Sequence, residues 1–541
     1  MMDFDDVGES PIRVNLQQFY GIEINDFAVE VARTALWIAE LQANIASEQI
    51  VLRELEDLPL RDAANIREGN ALRIDWNDVL PADQCDYVMG NPPFIGYSNH
   101  SPEQKEDRAA IFGKRGGVLD YVACWYERAA DYIESRKLYR KSPTRCAFVS
   151  TNSICQGQQV TPLWQPLFER GFAIDFAHRT FVWDNQATDQ AHVHVVIVGF
   201  SKGDDAAAKP LYFYNSRGAL TDVQYPSHIN AYLTPAPDVF ITARAKPISA
   251  PERVFRGCQP TDQGNLLLDP QEAHKLVESE PRAREWIRPF SMGAEFINGK
   301  DRYCLWLKDC PPATISQMPL VRERVNAVRE FRLKSSKAAT RKKADTPWLF
   351  DEIRDPGGTY IGIPKVSSER RKYIPAGFVN DGTIPGDKLY FIPSASMLVF
   401  GIVMSQAHNV WMRNVAGRLK SDYSYGNTIV WNNFIWPELT EESRAEIEHY
   451  AQEIVDARMA YMWPDGEPDL AAKLSGTAPA AQATLADLYD PDNAFLYTRL
   501  AKAHDNLDHA VEAAYGVNFN GDEQKIVSHL FTLYSRASTA R

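Results

Sequence analysis

The sequence predicts an α/β fold built on a doubly wound sheet, and three observations support this prediction. Strand-like and helix-like segments alternate through residues 1–200, a long helical segment has apolar positions spaced by three and four, and a Pro-rich loop follows a buried strand. Hydrophobic residues make up 45% and charged residues 24% of the 541 residues. This composition is typical of globular proteins and excludes a mostly disordered chain, a collagen-like fibre and a disulfide-stapled miniprotein.

The individual elements of this region follow from local patterns. The β-rich run QFYGIEI (18–24) predicts a strand, and Asn25 or Asp26 is the expected N-cap of the helix after it. The apolar positions of that helix are Phe27, Val31, Ala35, Ile38 and Leu41. Further strands are predicted at 85–90, 145–150, 172–178 and 192–200, with a helix at 118–133.

The remaining chain divides by composition. The polar run 201–209 indicates a domain edge, residues 210–436 are rich in Pro, Gly and aromatic residues, and the chain is helical by pattern from Leu439 onward, with a break at 475–482. We therefore predict three domains, at 1–205, 206–437 and 438–541.

Charge and cysteine content limit the possible functions. The net charge of −13 excludes sequence-blind attraction to nucleic acid through bulk charge, but it allows a local basic cleft. The seven cysteines form no CxxC pair, so we expect neither a metal site nor a disulfide framework. No signal peptide or 18-residue apolar run is present, and the predicted location is cytoplasmic.

The motif most indicative of chemistry is Asn91-Pro92-Pro93-Phe94, directly after a predicted strand. An exocyclic amino group is a poor nucleophile because its lone pair is delocalised into the ring. The Asn91 side-chain oxygen and the Pro92 carbonyl can draw it toward sp³ geometry, while tandem prolines fix the loop. Phe94 offers a flat face for a flipped base. A rigid loop without function is the alternative interpretation of this motif.

A second motif concerns a cofactor. Glu23 ends a predicted strand just before a helix, where a carboxylate can bind both hydroxyls of a ribose. In GNALRIDW (69–76), Asn70 follows a turn glycine and could contact an adenine edge. A surface acid near a helix N-terminus is the alternative for Glu23.

Taken together, these motifs resemble the gamma-order, adenine-specific DNA methyltransferases of the MmeI-like restriction–modification group. The resemblance implies a class I (Rossmann-like) methyltransferase sheet, partial at its N-terminus, then an α+β target-recognition domain and a C-terminal helical region. It also implies S-adenosylmethionine as cofactor and double-stranded DNA as partner. The residues it assigns are Glu23 and Ile24 for the cofactor ribose region, Asn70 and Ala71 for its adenine, Asp120 and Tyr121 near the cofactor, and Asn91, Pro92, Pro93 and Phe94 for the target adenine.

The resemblance extends to sequence recognition. Residues 288–307 and 417–437 are similar to target-recognition segments of that group. In the second segment Lys420 and Asp422 are two apart, so one strand would project both from the same face, next to Arg418. The basic stretch 321–346 adds candidate phosphate contacts at Arg341, Lys342 and Lys343, although a solvated helical face is an equal alternative.

Two features of the group are not found in this sequence. The Gly-rich cofactor loop normally precedes the GIEIN motif by several tens of residues, and only 20 residues precede Gly21 here. The N-terminal nuclease is also not found, so we expect weak cofactor binding by the isolated chain and no DNA cleavage. One alternative is a specificity remnant that needs a second polypeptide carrying that loop and the nuclease; another is an RNA or protein N-methyltransferase.

Overall fold

The structure is a computed structural model. It describes residues 14–51, 65–137, 143–183, 193–203, 208–215, 218–419 and 421–539. None of the helices in these ranges combines the length and the apolar character needed to cross a membrane.

The first unit contains β1 (Tyr20–Glu23), α1 (Asp26–Val51) and β2 (Asn65–Glu68), and the two strands pair in parallel. Asn25 caps α1, since its Oδ1 accepts a hydrogen bond from the Ala28 amide at 2.9 Å. The helix contacts β2 through Val29 and Ile66, which are both buried. The apolar positions that predicted the helix lie mostly on its exposed face, including Phe27, Val31, Ile38 and Leu41.

A six-stranded mixed sheet forms the centre of the next region, in the order β3-β4-β6-β5-β7-β8. Its strands are β3 (Tyr87–Gly90), β4 (Arg145–Thr151), β5 (Phe172–Trp183), β6 (Val193–Lys202), β7 (Leu211–Tyr214) and β8 (Leu220–Gln224). The pairs β3–β4 and β5–β7 are parallel and the other three are antiparallel. The sheet therefore extends past the domain edge expected at residue 205, because β7 continues it beside β5. Residue 192, expected to open β6, lies outside the described ranges.

Three helices accompany this sheet, namely α2 (Pro102–Phe112), α3 (Ala123–Glu134) and α4 (Val160–Glu169). Tyr126 of α3 and Trp164 of α4 are fully buried, and the Tyr126 ring stacks on Phe200 of β6 at 5.3 Å between centroids. The Tyr126 hydroxyl lies 2.8 Å from Ser150 Oγ, so its polar end is satisfied inside the core. This packing fixes the strand ends on which the candidate site is built.

The following region has many short strands, as its turn-rich composition predicts. Its strands are β9 (Phe255–Arg256), β10 (Leu267–Leu268), β11 (Ile287–Ser291), β12 (Tyr303–Leu305), β13 (Tyr360–Pro364), β14 (Val366–Ser367), β15 (Gly377–Val379), β16 (Ile384–Pro385), β17 (Leu389–Ile392), β18 (Gly417–Leu419) and β19 (Asp422–Ser424). Its helices are α5 (Pro270–Ser279), α6 (Gly293–Asn298), α7 (Pro312–Ser316), α8 (Pro319–Leu333), α9 (Ala338–Lys342), α10 (Met397–Met404) and α11 (Gln406–Val415).

The C-terminal region is helical, as expected. It contains α12 (Glu441–Met462), α13 (Leu470–Ser475), α14 (Leu485–Leu488), α15 (Thr498–Ala514) and α16 (Glu523–Thr539). The predicted break at 475–482 is confirmed, since α13 ends at Ser475 and α14 begins at Leu485. Buried Trp411 of α11 contacts Phe531 and Tyr534 of α16, so this region shares one apolar core with the preceding region.

Candidate catalytic site and DNA interface

The Asn91-Pro92-Pro93-Phe94 loop leaves the sheet at the end of β3. Asn91 and Pro93 are exposed, Pro92 is buried and Phe94 is half-buried. Neither the Asn91 side chain nor the Pro92 carbonyl has a hydrogen-bond partner among the described residues. The two acceptors expected from the sequence are therefore available for a ligand.

Asp120 holds this loop from the side. Its Oδ1 accepts a hydrogen bond from the Tyr97 amide at 2.9 Å, and its Oδ2 accepts one from Ser153 Oγ at 2.5 Å. The Asp120 amide donates to Gln159 Oε1 at 2.9 Å. Asp120, expected near the cofactor from the resemblance, thus connects the loop after β3 to the loop after β4, and both of its carboxylate oxygens are occupied.

A second anchor is the carbonyl of Ile95. It accepts hydrogen bonds from the Tyr121 amide at 2.9 Å and from His100 Nε2 at 3.1 Å. Because a carbonyl only accepts, the His100 proton must be on Nε2. Burial lowers the pKa of His100, which favours this neutral form. No sequence pattern had pointed to His100.

The expected cofactor residues Glu23 and Ile24 lie at the end of β1. Glu23 is half-buried, its Oε1 accepts the Asn25 amide at 3.0 Å, and its Oε2 has no recorded partner within the described part of the chain. One carboxylate oxygen therefore remains for a hydroxyl, which fits the ribose role. The Ile24 side chain is 68% exposed.

Asn70 belongs to a polar cluster around buried Asp107 that the sequence did not reveal, and Ala71 lies next to it. Its centre is Asp107 of α2, which accepts hydrogen bonds from Asn70 Nδ2 at 3.0 Å, Arg73 Nε at 2.6 Å and the Tyr121 hydroxyl at 2.7 Å. Burial alone would raise the pKa of Asp107, but these three donors lower it. Ala71 contributes its carbonyl to Trp76 Nε1 at 2.8 Å.

This cluster restricts the predicted role of Asn70. Its Oδ1 already accepts the Leu72 amide at 2.9 Å, and one of its two amide protons points to Asp107. Asn70 can offer only one further proton to a ligand, so its main effect is to shape the turn. Asp107 escaped sequence analysis because a lone acid in a charged helix carries no signal of burial.

The expected recognition residues Arg418 and Asp422 lie on two short strands. β18 ends at Leu419 and β19 begins at Asp422, and these two residues face each other across an antiparallel hairpin. β18 and β19 are therefore separate antiparallel strands, and Asp422 does not continue the strand of Arg418. Lys420 lies outside the described residues.

Arg418 has structural partners of its own. Its Nη1 donates to the Ser421 carbonyl at 2.7 Å, and its guanidinium lies 3.9 Å from the centroid of the Tyr423 ring. Glu369 is 3.6 Å away. The side chain is only 13% exposed, so it stabilises the hairpin instead of reaching outward.

The basic stretch 321–346 divides into buried and exposed cations. Arg332 is fully buried and donates to five backbone carbonyls, so this residue of the stretch does not face DNA. Arg341, Lys342 and Lys343 are exposed. Lys343 Nζ still donates to the Asp351 carbonyl at 2.9 Å, and Arg341 donates to the carbonyls of Ser335 and Ser336, both at 2.8 Å.

A loop with two unpaired acceptors among the described residues follows β3, an acid lies at the end of β1 in a two-stranded sheet, and a strand-rich region follows along the chain. Comparison with known proteins gives the family. Three protein-family models match the chain. The family model "MmeI, DNA-methyltransferase domain" matches residues 4–213, the family model "MmeI, target recognition domain" matches 235–438, and the family model "MmeI, C-terminal domain" matches 439–540.

Two relatives agree with these matches. The chain is 38% identical over 519 residues to DNA methyltransferase A of Bacillus subtilis (strain 168), covering 95% of this chain and 55% of that protein. The solved structure of the Type IIL restriction-modification enzyme MmeI in complex with DNA matches with a TM-score of 0.85 and 41% identity, covering 98% of this chain and 67% of that one. The chain belongs to the MmeI family, and it spans about half the length of the curated relative it matches.

Proposed function

We propose that this chain carries the methyl-transfer and sequence-reading parts of an MmeI-type restriction–modification enzyme. Its reaction is transfer of a methyl group from S-adenosylmethionine to N6 of adenine in double-stranded DNA. The observation that carries this proposal is the unpaired Asn91 side chain beside the unpaired Pro92 carbonyl, on a loop anchored by Asp120 and Ile95.

Besides the methyl donor, the proposed methyl transfer depends mainly on these two hydrogen-bond acceptors. Adenine N6 attacks the methyl carbon, an N–C bond forms, the C–S bond of the sulfonium breaks and one N6 proton passes to solvent. Asn91 Oδ1 and the Pro92 carbonyl would accept one hydrogen bond each from the N6 amine and so localise the lone pair on nitrogen. Their fixed positions mean that no reorganisation is needed as charge develops.

The remaining site residues would bind and orient. Glu23 would hold the ribose hydroxyls through its unpaired Oε2, beside Ile24. Asn70 and Ala71 would border the adenine of the donor, whose sulfonium supplies the methyl group. Phe94 would stack on the flipped base, and Arg341 and Lys342 would contact DNA phosphates.

The test is a methyl-transfer assay on duplex DNA in which a fused or added polypeptide supplies the Gly-rich cofactor loop, with the product nucleosides identified by mass spectrometry. We expect N6-methyladenine, and we expect Asn91→Ala to lower kcat by about 10²–10³ while DNA affinity is unchanged. Asn99→Ala is the matched control, since Asn99 is exposed eight positions along the chain. Methylated cytosine, or equal rates for the two variants, would contradict the proposal.

A second candidate function has its own supporting observation. The exposed apolar face of α1, with Phe27 at 75% and Val31 at 50% exposure, would suit a DNA-recognition module that acts together with a second polypeptide. Tight DNA binding without any methyl transfer at saturating donor would favour this candidate.

A further inference from the structure

A polar cavity of about 200 Å³ lies between the sheet and the β18–β19 hairpin. Its lining includes Arg179 of β5, Arg413 and Asn414 of α11, Arg418 of β18 and Gln156. At roughly 30 Å³ per water molecule, it could hold about seven waters, or one phosphate group with a few waters. Three arginine residues therefore line one small space.

The acids near this cavity do not balance its cations. Arg413 pairs with Glu523 at 2.5 Å, and Arg418 lies 3.6 Å from Glu369. Arg179 has no hydrogen bond or ion pair with any residue in the described ranges, and its guanidinium lies 5.0 Å from the Phe213 ring centroid. Two carboxylates against three guanidinium groups leave one positive charge.

Further polar atoms around the cavity also lack partners. The Nε proton of Arg418 is buried with no acceptor, and the Oε1 atom of Gln156 is buried with no donor, within the described part of the chain. Since a Gln side chain can be rotated to exchange its oxygen and nitrogen, Gln156 can present protons to the cavity. Burial lowers the pKa of Arg179.

The cavity shares a loop with the candidate catalytic site. Ser153 of this loop donates to Asp120, which anchors the Asn91 loop. Gly157 of the same loop touches the recognition hairpin, because a Cβ atom there would lie 3.0 Å from the Gly417 Cα. An anion in the cavity would therefore lie between the segment that positions the target base and the hairpin expected to read sequence.

We propose that this cavity binds one backbone phosphate of the DNA substrate, with Arg179 as its principal cation and Arg418 and Gln156 as further donors. The guanidinium fork matches two phosphate oxygens, and the buried setting strengthens the contact. This inference rests on the proposed function only in taking DNA as the ligand, not in the transfer chemistry. A free phosphate ion has the same chemistry and is distinguished by the test.

The first experiment measures the affinity of the full chain for a 30-base-pair duplex across a range of salt concentrations. Arg179→Gln should weaken binding about tenfold or more at moderate salt, and should reduce the slope of log affinity against log salt by about 0.9. Arg179→Lys should keep that slope. Arg444→Gln is the matched control, because Arg444 is an exposed cation on α12 that does not line the cavity.

The second experiment identifies the phosphate. Neutral methylphosphonate linkages are placed one at a time along the duplex. At one position the wild type should lose affinity while Arg179→Gln loses none further, since the same contact is already absent. Additive losses at every position would overturn the proposal, as would an unchanged salt slope in Arg179→Gln.

A second variant guards against a folding defect in Arg179→Gln. Gln156→Glu places a carboxylate beside Arg179, so it should raise the Tm of the free protein and weaken DNA binding about tenfold or more. If inorganic phosphate raises the wild-type Tm but neither variant changes the DNA slope, the cavity is a free-phosphate site and the proposal fails. Loss of methyl transfer with the slope effect intact would refute the proposed reaction alone.

Discussion

The two units on either side of the candidate site differ in how firmly they are built. The β1–α1–β2 unit, which carries Glu23, buries Val29 and Ile66 with help from Ala32 and Leu36. The six-stranded sheet, which carries the Asn91 loop, belongs to the large core that runs through α11 and α16. In the proposed reaction, the acceptor side, which is the Asn91 loop, is thus held by a large core, whereas the donor side, which is Glu23, depends on few contacts.

The strands β1 and β3 both lie at the edge of a sheet. Among the described residues β1 pairs only with β2 and β3 only with β4, so each presents one unpaired edge. Tyr87 and Met89 of β3 are 69% and 77% exposed, which is unusual for apolar residues in a strand. Cavity-creating and loop-loosening substitutions should therefore have much larger effects on the acceptor side.

The largest expected difference is in stability. Leu163 of α4 is fully buried, so Leu163→Ala should lower the free energy of unfolding by about 2–5 kcal/mol. Phe27→Ala removes a side chain that is 75% exposed and should change it by less than about 0.5 kcal/mol. Urea unfolding followed by circular dichroism measures both, and similar losses would show that α1 is packed as firmly as α4.

The next effect concerns the anchoring of the loop. Asp120→Ala removes the acceptor of the Tyr97 amide and of Ser153 Oγ, so Asn91 should be less well placed. A misplacement of about 1 Å can lower a rate by about 10²-fold, and we expect a fall of that order in kcat. Asp120→Asn keeps an acceptor and should restore most of the rate. A change in DNA affinity instead of kcat would contradict this positioning role.

A smaller effect is expected at Phe94. Phe94→Ala should weaken capture of the flipped base by about 1–3 kcal/mol, because stacking on the ring is lost. Phe94→Tyr retains a flat ring and serves as the control. Single-turnover kinetics at increasing duplex concentration separate base capture from transfer, and an unchanged KM with a lower kcat would place Phe94 elsewhere in the reaction.

These contrasts explain which predictions from the sequence could succeed. The α/β class, the strand before Asn91 and the N-cap at Asn25 depend on local pattern, and all three are confirmed. The helical period of α1 was also correct, but periodicity cannot say whether an apolar face finds a partner. The spacing of Phe27 and Ile38 therefore predicted a helix correctly, but these two side chains are not part of a hydrophobic core.

The parts that could not be predicted depend on long-range contacts. Asp107 binds Asn70 and Arg73 from one segment and Tyr121 from another, and Arg332 is buried by carbonyls up to 72 residues away. In a sequence both look like ordinary surface charges. The antiparallel pairing of β18 with β19 was likewise not predicted, because the sequence between Arg418 and Tyr423 contains no Gly or Asn.

The smallest change in DNA affinity is expected from substitutions at Lys420 and Asp422. These substitutions should instead change which DNA sequence the protein recognises. Leu419, at the end of β18, is 59% exposed, and Asp422, at the start of β19, is half-buried. A Lys and an Asp can address one base pair, since Lys donates to guanine O6 and N7 while Asp accepts from cytosine N4. We predict a G·C pair next to the methylated adenine.

The charge exchange Lys420→Asp with Asp422→Arg should reverse that pair to C·G and leave overall affinity nearly unchanged. Phosphate contacts position the protein independently of base contacts, so the loss is confined to discrimination, worth about 1–3 kcal/mol per base pair. Methylome sequencing of cells that express each variant gives the recognised sequence directly. The control exchanges charge on α12, with Glu441→Arg and Arg444→Glu, where both residues are exposed. An unchanged recognition sequence in an active Lys420/Asp422 variant would mean that the hairpin contacts only the backbone, because a base contact cannot survive reversal of both charges.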